Sequence, residues 1–136
     1  MIHYFDSCAL MKLARDEAES AALRSWMKKL DADDKIATSA LAELELTRSL
    51  TRHGLQPYEV VEEVANVLDV VGVVKISEVV IQTAIAYRIR RLGTLDAIHL
   101  ATAELLRSDL DSFVTYDKEL AAAANDQGLN VVAPSK

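Results

Sequence analysis

The sequence predicts an α/β protein of three layers, α/β/α, with a central, mostly parallel sheet of about four to five short strands. Two observations predict it. Short runs rich in β-branched and aromatic residues alternate with longer stretches of helical periodicity along most of the chain. Helix-starting polar residues (Asp6-Ser7, Thr38-Ser39, Ser77, Thr94, Asp117) and helix-stopping glycines (Gly54, Gly93, Gly128) fall at the joints. At 136 residues the chain predicts a single domain over 1–136, and its 51% apolar content is enough for a full core. No long linker, repeat or low-complexity stretch argues for a second unit.

Taken in order, Ile2 to Phe5 reads as the first strand and runs into Asp6-Ser7. Ala9 to Leu13 is a short helix, and Glu17 to Leu30 is a second, with Ala21, Ala22, Trp26 and Leu30 on its apolar side. Asp31 to Asp34 is a polar turn, and Lys35 to Thr38 is the second strand. Thr38 or Ser39 caps a helix to about His53, which Gly54 stops. Pro57 suits the first turn of a helix over 57–69. Val70 to Ile76 is short and β-branched, hence a strand. Ser77 caps a helix to about Leu92, ended by Gly93, and Thr94 caps the next over 95–108. Asp111 to Tyr116 is a strand, Asp117 caps the helix 118–126, Gly128 ends it, and Val131-Val132 form a last strand.

Bulk properties exclude several classes. No apolar run approaches the ~20 residues of a membrane span, and the N-terminus is a strand entering an acidic turn rather than a leader, so a cytoplasmic protein is expected. One cysteine, Cys8, excludes an internal disulfide framework and a cysteine zinc cage. Its plain reading is a small buried hydrophobe. The net charge of −6 argues against a broad nucleic-acid surface, although four of the acids are better explained locally. With 5% aromatic residues, base stacking does not dominate any recognition.

Those four acids are Asp6, Glu45, Asp96 and Asp117. Three of them sit where a strand ends or a helix begins, and in open α/β folds ligand sites gather at the carboxyl ends of parallel strands. Converging acids without a partnered lysine suit a hard divalent cation. Each also has a structural role on offer. Asp6 and Asp117 are N-caps in waiting, Asp96 lies in a first helical turn, and Glu45 can pair with Arg48 at i,i+3. Glu43 competes with Glu45, and spacing does not choose between them. His99 lies three residues after Asp96 and faces the same way. Its plain reading is a hydrogen-bonded histidine at the edge of the core. The hydroxyls of Ser7 and Thr115 are placed to orient a carboxylate or a metal-bound water. Basic residues flank the acids: Lys12 and Arg15 after Asp6, Arg48, Arg52 and His53 after Glu45, and Arg88, Arg90 and Arg91 before Asp96. They suit phosphate contacts as well as ordinary solvated helix surface.

Four segments in order resemble the motifs of PIN-domain nucleases: Tyr4-Phe5-Asp6-Ser7-Cys8-Ala9-Leu10, Thr38-Ser39-Ala40-Leu41 through Glu45-Leu46, Leu95-Asp96-Ala97-Ile98-His99-Leu100-Ala101-Thr102-Ala103, and Val114-Thr115-Tyr116-Asp117 with Leu120-Ala121-Ala122. The third is the most specific, and the stretch 54–92 carries little motif information. The likeness is greatest to the VapC toxins of prokaryotic toxin–antitoxin pairs. It implies that the family glutamate is Glu45, at the expected interval after the Thr-Ser pair. It implies Asp6, Glu45, Asp96 and Asp117 as catalytic and metal-holding residues, and Mg²⁺- or Mn²⁺-dependent cleavage of RNA by attack of water on a phosphodiester. It also implies a homodimer and a cognate VapB-like antitoxin that covers the acidic pocket. Two other classes fit the residues less well. One is a metal-dependent phosphatase acting on a small phosphoester, but the second aspartate expected two residues after Asp6 is replaced by Cys8. The other is a non-catalytic α/β binding module whose acids are only caps.

Overall fold

The first strand decides the architecture, because its side chains must be buried on both faces. The computed structural model describes residues 1–135. In chain order it contains β1 (Ile2–Phe5), α1 (Ser7–Ala14), α2 (Ser20–Lys28), β2 (Lys35–Ser39), α3 (Leu41–Arg52), α4 (Pro57–Leu68), β3 (Gly72–Val74), α5 (Glu78–Ala86), α6 (Thr94–Leu105), β4 (Leu110–Val114), α7 (Lys118–Asp126) and β5 (Val131–Val132). The sheet order is β3-β2-β1-β4-β5 and every ladder is parallel. Parallel sheets need cover on both faces. Successive strand residues point to opposite faces, so Phe5 and Tyr4 enter different cores. Phe5 packs with Leu10, Leu46, Leu50 and Val64, under α1, α3 and α4. Tyr4 packs with Leu100, Phe113, Leu120 and Ala124, under α6 and α7. Tyr4 stacks on Phe113 with ring centroids 5.3 Å apart and planes 10° from parallel. The expected three-layer α/β/α fold is therefore present, with five strands.

The chain builds outward from β1 to β2 and β3, then returns across β1 to lay down β4 and β5. The strand order reverses between β1 and β4, and a crevice opens at the carboxyl ends of strands at such a point. Asp6 follows β1 directly, and Asp117 stands three residues after the last residue of β4.

Several boundaries differ from the sequence expectation, each for a tertiary reason. The helix expected to run from Ser77 to Leu92 stops at Ala86, where Tyr87 turns extended. Tyr87, Ile89 and Leu92 pack against the second core, and the Tyr87 hydroxyl bonds the Glu104 carboxylate on α6. Gly93 consequently does not end that helix; it is the N-cap of α6, and Thr94 is the first helical residue rather than the cap. Neither Thr38 nor Ser39 is the N-cap of α3. Ala40 takes that position, while the Ser39 hydroxyl accepts from the Leu41 N–H at 3.1 Å and the Thr38 hydroxyl donates to the Phe5 carbonyl at 2.7 Å. The second helix starts at Ser20 rather than Glu17, because the buried Ser20 hydroxyl ties back to the carbonyls of Lys12 and Arg15. Of 70–76 only Gly72–Val74 pair, as an edge strand against β2. Gly54 and Gly128 end α3 and α7 at φ +89° and +84°, a left-handed backbone that other residues adopt only at a cost. Among the described residues, no helix is long and apolar enough to cross a membrane.

Candidate active site

At the crevice, each of the four acids is reached by a different local device. Asp6 is the N-cap of α1, and its Oδ1 accepts the Ala9 N–H at 2.9 Å. The Thr115 hydroxyl donates to Asp6 Oδ2, and the Cys8 thiol donates to both carboxylate oxygens at 3.1 Å. Asp117 is the N-cap of α7 and accepts the Leu120 N–H at 2.8 Å. Its own N–H donates to Thr115 Oγ1 at 3.1 Å, so one hydroxyl ties the two caps together. Glu45, in the second turn of α3, receives His99 Nε2 at 2.6 Å. Asp96 lies in the first turn of α6 beside these groups.

The capping roles expected for Asp6 and Asp117 are thus real, yet they coexist with convergence. Burial and then the charges of Asp117 and Asp6 push the Asp96 carboxyl up from 3.8 to about 6, against an opposing effect of His99 and with a lesser push from Glu45. Those charges act on one carboxyl only because all four acids share one neighbourhood. Burial also raises Asp6, against the donors from Thr115, Ala9 and Cys8. The expected pairing of Glu45 with Arg48 gives way to the buried partner His99. Glu43 is exposed in the first turn of α3, and Glu45 is the one that turns toward Asp96.

Beside the acids lies an open groove of about 830 Å³ lined by Glu45 and Asp117, by Leu41, Leu44, Met11, Leu95 and Tyr116, and by Lys12, Arg48 and Arg52. Lys12 is spoken for, with ion pairs to Glu17 at 3.2 Å and Glu19 at 2.6 Å and its ammonium 4.8 Å from the Tyr116 ring centre. Arg48 and Arg52 are exposed on α3.

The family described as "PIN domain" matches residues 3–126. Two curated relatives from Mycobacterium tuberculosis align along nearly their whole length. "Ribonuclease VapC35" is 41% identical over 139 residues, covering 98% of this chain and 97% of the relative. "Ribonuclease VapC47" is 36% identical over 132 residues, covering 96% of each. The chain belongs to the PIN-domain family. The backbone agrees with a solved VapBC2 structure from Rickettsia felis at a TM-score of 0.77, over 99% of this chain and 100% of that one, at 13% identity.

A PIN domain implies a divalent ion, and the chemistry of the donor groups decides whether these residues fit one. Among the described residues, no three His, Cys, Asp or Glu side chains close into a ready-made ligand cage. The donor set is nonetheless all oxygen, and of the charges acting on Asp96 three are acids and none is a lysine or arginine. Such a set suits a hard ion that keeps much of its water and takes few direct protein ligands, as Mg²⁺ does. The acids therefore fit a hydrated divalent ion and do not fit a tightly caged one.

Three features of this PIN site lay outside the sequence reading. Cys8 is not a plain hydrophobe. It is a bonded thiol, accepting the Tyr116 N–H at 3.4 Å as well as donating to Asp6. Burial first, then the Asp6 charge, push its pKa up to about 12. A thiol so protonated is a poor nucleophile. Alkylation of Cys8 by iodoacetamide at pH 8 is expected to be on the order of a hundredfold slower than that of a free thiol. Mass-spectrometric labelling rates comparable to the free thiol contradict this. Second, Ser7 lines the groove as the first residue of α1 rather than its cap, whereas Thr115 does orient a carboxylate as expected, donating to Asp6 and accepting the Asp117 N–H. Third, His99 is fully buried rather than at the core edge.

The Asp96 shift has a stability consequence in metal-free protein. Its folded pKa, about 6, lies above the ordinary 3.8, so the folded state holds a proton that the unfolded chain has released. The stability this group contributes is present below pH 3.8 and is lost as the pH rises through about 6. In EDTA, the melting temperature of wild type relative to Asp96→Asn should therefore decline across that window. A flat difference between pH 4 and 7 contradicts the shift.

Proposed function

We propose that this PIN-domain chain is a divalent-metal-dependent endoribonuclease, the toxin of a VapBC-type toxin–antitoxin pair. The observation that carries the reading is the acidic centre itself: Asp96 raised to about 6 by burial and by Asp117, Asp6 and Glu45. An arrangement that costs stability in isolation is explained by what it binds. The curated relatives are named ribonucleases and align over at least 96% of this chain.

Asp6, Glu45, Asp96 and Asp117 are proposed to hold one or two Mg²⁺ or Mn²⁺ ions. Such an ion, when bound, neutralises charge on the scissile phosphate and acidifies the attacking water. The chain's own residues do the rest. Thr115, Cys8 and the Ala9 N–H fix the Asp6 carboxylate from three sides, so ligand geometry is set before substrate arrives. The Leu120 N–H fixes Asp117 through Oδ1. Asp96 is the carboxylate whose proton must leave before an ion can be held. Arg48 and Arg52, exposed beside the groove, are proposed to neutralise phosphates flanking the scissile bond.

The partner proposed is a VapB-like antitoxin, presenting an apolar face to Leu41, Leu44, Met11 and Leu95 and a basic side chain to the acids. A homodimer belongs to the same reading, and α5 exposes Val79 and Ile85 for it. The test is to sequence RNA ends after induced expression, with Asp96→Asn as the reference. New ends at defined positions in wild type alone support the reading; identical end profiles overturn it.

A further inference from the structure

A buried chain of polar side chains runs from the central strand to Glu45. The Tyr4 hydroxyl of β1 lies 2.7 Å from His99 Nδ1 on α6, and His99 Nε2 lies 2.6 Å from Glu45 Oε1 on α3. Tyr4 and His99 are both fully buried. Hydrogen accounting sets the direction of these bonds. The hydroxyls of Thr38 and Thr102 flank the Tyr4 oxygen, but each gives its own hydrogen to a backbone carbonyl, Phe5 at 2.7 Å and Ile98 at 2.6 Å. A buried phenol O–H needs an acceptor, and His99 Nδ1 is the one it meets. Nδ1 therefore carries no hydrogen, Nε2 carries it, and the bond to Glu45 is a donation from Nε2–H.

We propose that Tyr4 and His99 are positioning residues that lock the Glu45 carboxylate in place and thereby set the divalent-cation affinity of the acidic centre. The inference rests on the nuclease reading above. A Glu45 released from His99 has an alternative: it projects into an open groove and has Arg48 three residues along the same helix. Asp6 and Asp117 each have backbone N–H donors to hold them; the donor the structure gives Glu45 is His99. Outer partners that orient metal-ligating side chains are commonly worth about 10- to 100-fold in metal affinity.

The experiment is Mn²⁺ titration calorimetry on the full chain without RNA, with cleavage measured in parallel. His99→Ala should weaken Mn²⁺ binding at least roughly tenfold, and Tyr4→Phe, nearly isosteric and therefore kind to the fold, by about threefold or more. His99→Gln offers an amide N–H near the Nε2 position and should recover most of the affinity lost in His99→Ala. In a Glu45→Gln background, His99→Ala should have little further effect, which a merely structural role does not predict. Unchanged Mn²⁺ affinity in both His99→Ala and Tyr4→Phe, or an equal loss with and without Glu45, overturns the relay. Asp96→Asn separates the two ideas. If it abolishes binding while the His99 and Tyr4 variants bind as wild type, the relay alone fails. If wild type binds no Mn²⁺, the nuclease reading fails with it.

Discussion

Asp96→Asn should abolish RNA cleavage, by a factor on the order of a thousand or more, while making the metal-free protein slightly more stable. The two effects have one cause. Asp96 sits among three other acids, and its pKa of about 6 against 3.8 measures what its charge costs in the folded state. Undiscounted, a shift of that size corresponds to about 3 kcal/mol. Partial exposure to water cuts this substantially, and the lost attraction between a first-turn carboxylate and the helix dipole removes roughly 0.3–1 kcal/mol more. About 1 kcal/mol remains, or a rise of about 3–5 °C in melting temperature at pH 7 in EDTA. In millimolar Mn²⁺ the order should reverse, because mass action stabilises whichever form binds the ion. Paired melting curves with and without Mn²⁺ check the second half, and gel-resolved RNA cleavage checks the first. An Asp96→Asn protein that cleaves as wild type rejects the acidic site. One that melts lower in EDTA rejects the electrostatic account of it.

The same carboxylates show what the chain made legible. Asp6 and Asp117 were readable because strand ends and helix starts are written locally, in Phe5-Asp6-Ser7 and in Tyr116-Asp117-Lys118. Both do cap, through Ala9 and Leu120, so a capping reading and a ligand reading were never exclusive. What no local pattern carries is the strand order. The acids meet because β4 lies beside β1, although β2 and β3 intervene in sequence. Glu45 was ambiguous against Glu43 for a related reason. The choice is made by His99, which is 54 residues away in sequence and 2.6 Å away in space. Tyr87 shows the opposite failure. Helical periodicity continues past Ala86, but burial of Tyr87, Ile89 and Leu92 under α6 outweighs it, and the chain turns before Gly93. Cys8 was misread because composition treats a lone thiol as apolar, whereas two residues after a buried carboxylate it becomes a donor.

Phe113→Ala should cost the most stability of any single change near the site. Phe113 is fully buried and stacks on Tyr4 across the β1–β4 ladder, where the two residues are in register. Removing a buried phenyl costs about 3–5 kcal/mol, through lost transfer energy and the cavity left behind. Total stability of a domain is roughly 5–15 kcal/mol, so this is a large share of it. The expected fall in melting temperature is roughly 12–20 °C, readable by circular dichroism. The location adds a functional expectation. Phe113 precedes Val114, the last residue of β4, and Thr115 just beyond it, and it supports the ring of Tyr4, whose hydroxyl meets His99. Cavity formation beneath Tyr4 loosens both the Thr115 brace on Asp6 and the Tyr4–His99 contact at once. Saturating Mn²⁺ should therefore recover less of the lost stability in Phe113→Ala than in a variant of equal cost placed in the other core, such as Leu50→Ala. Equal recovery in the two variants would show that the β1–β4 seam and the acidic centre are energetically independent.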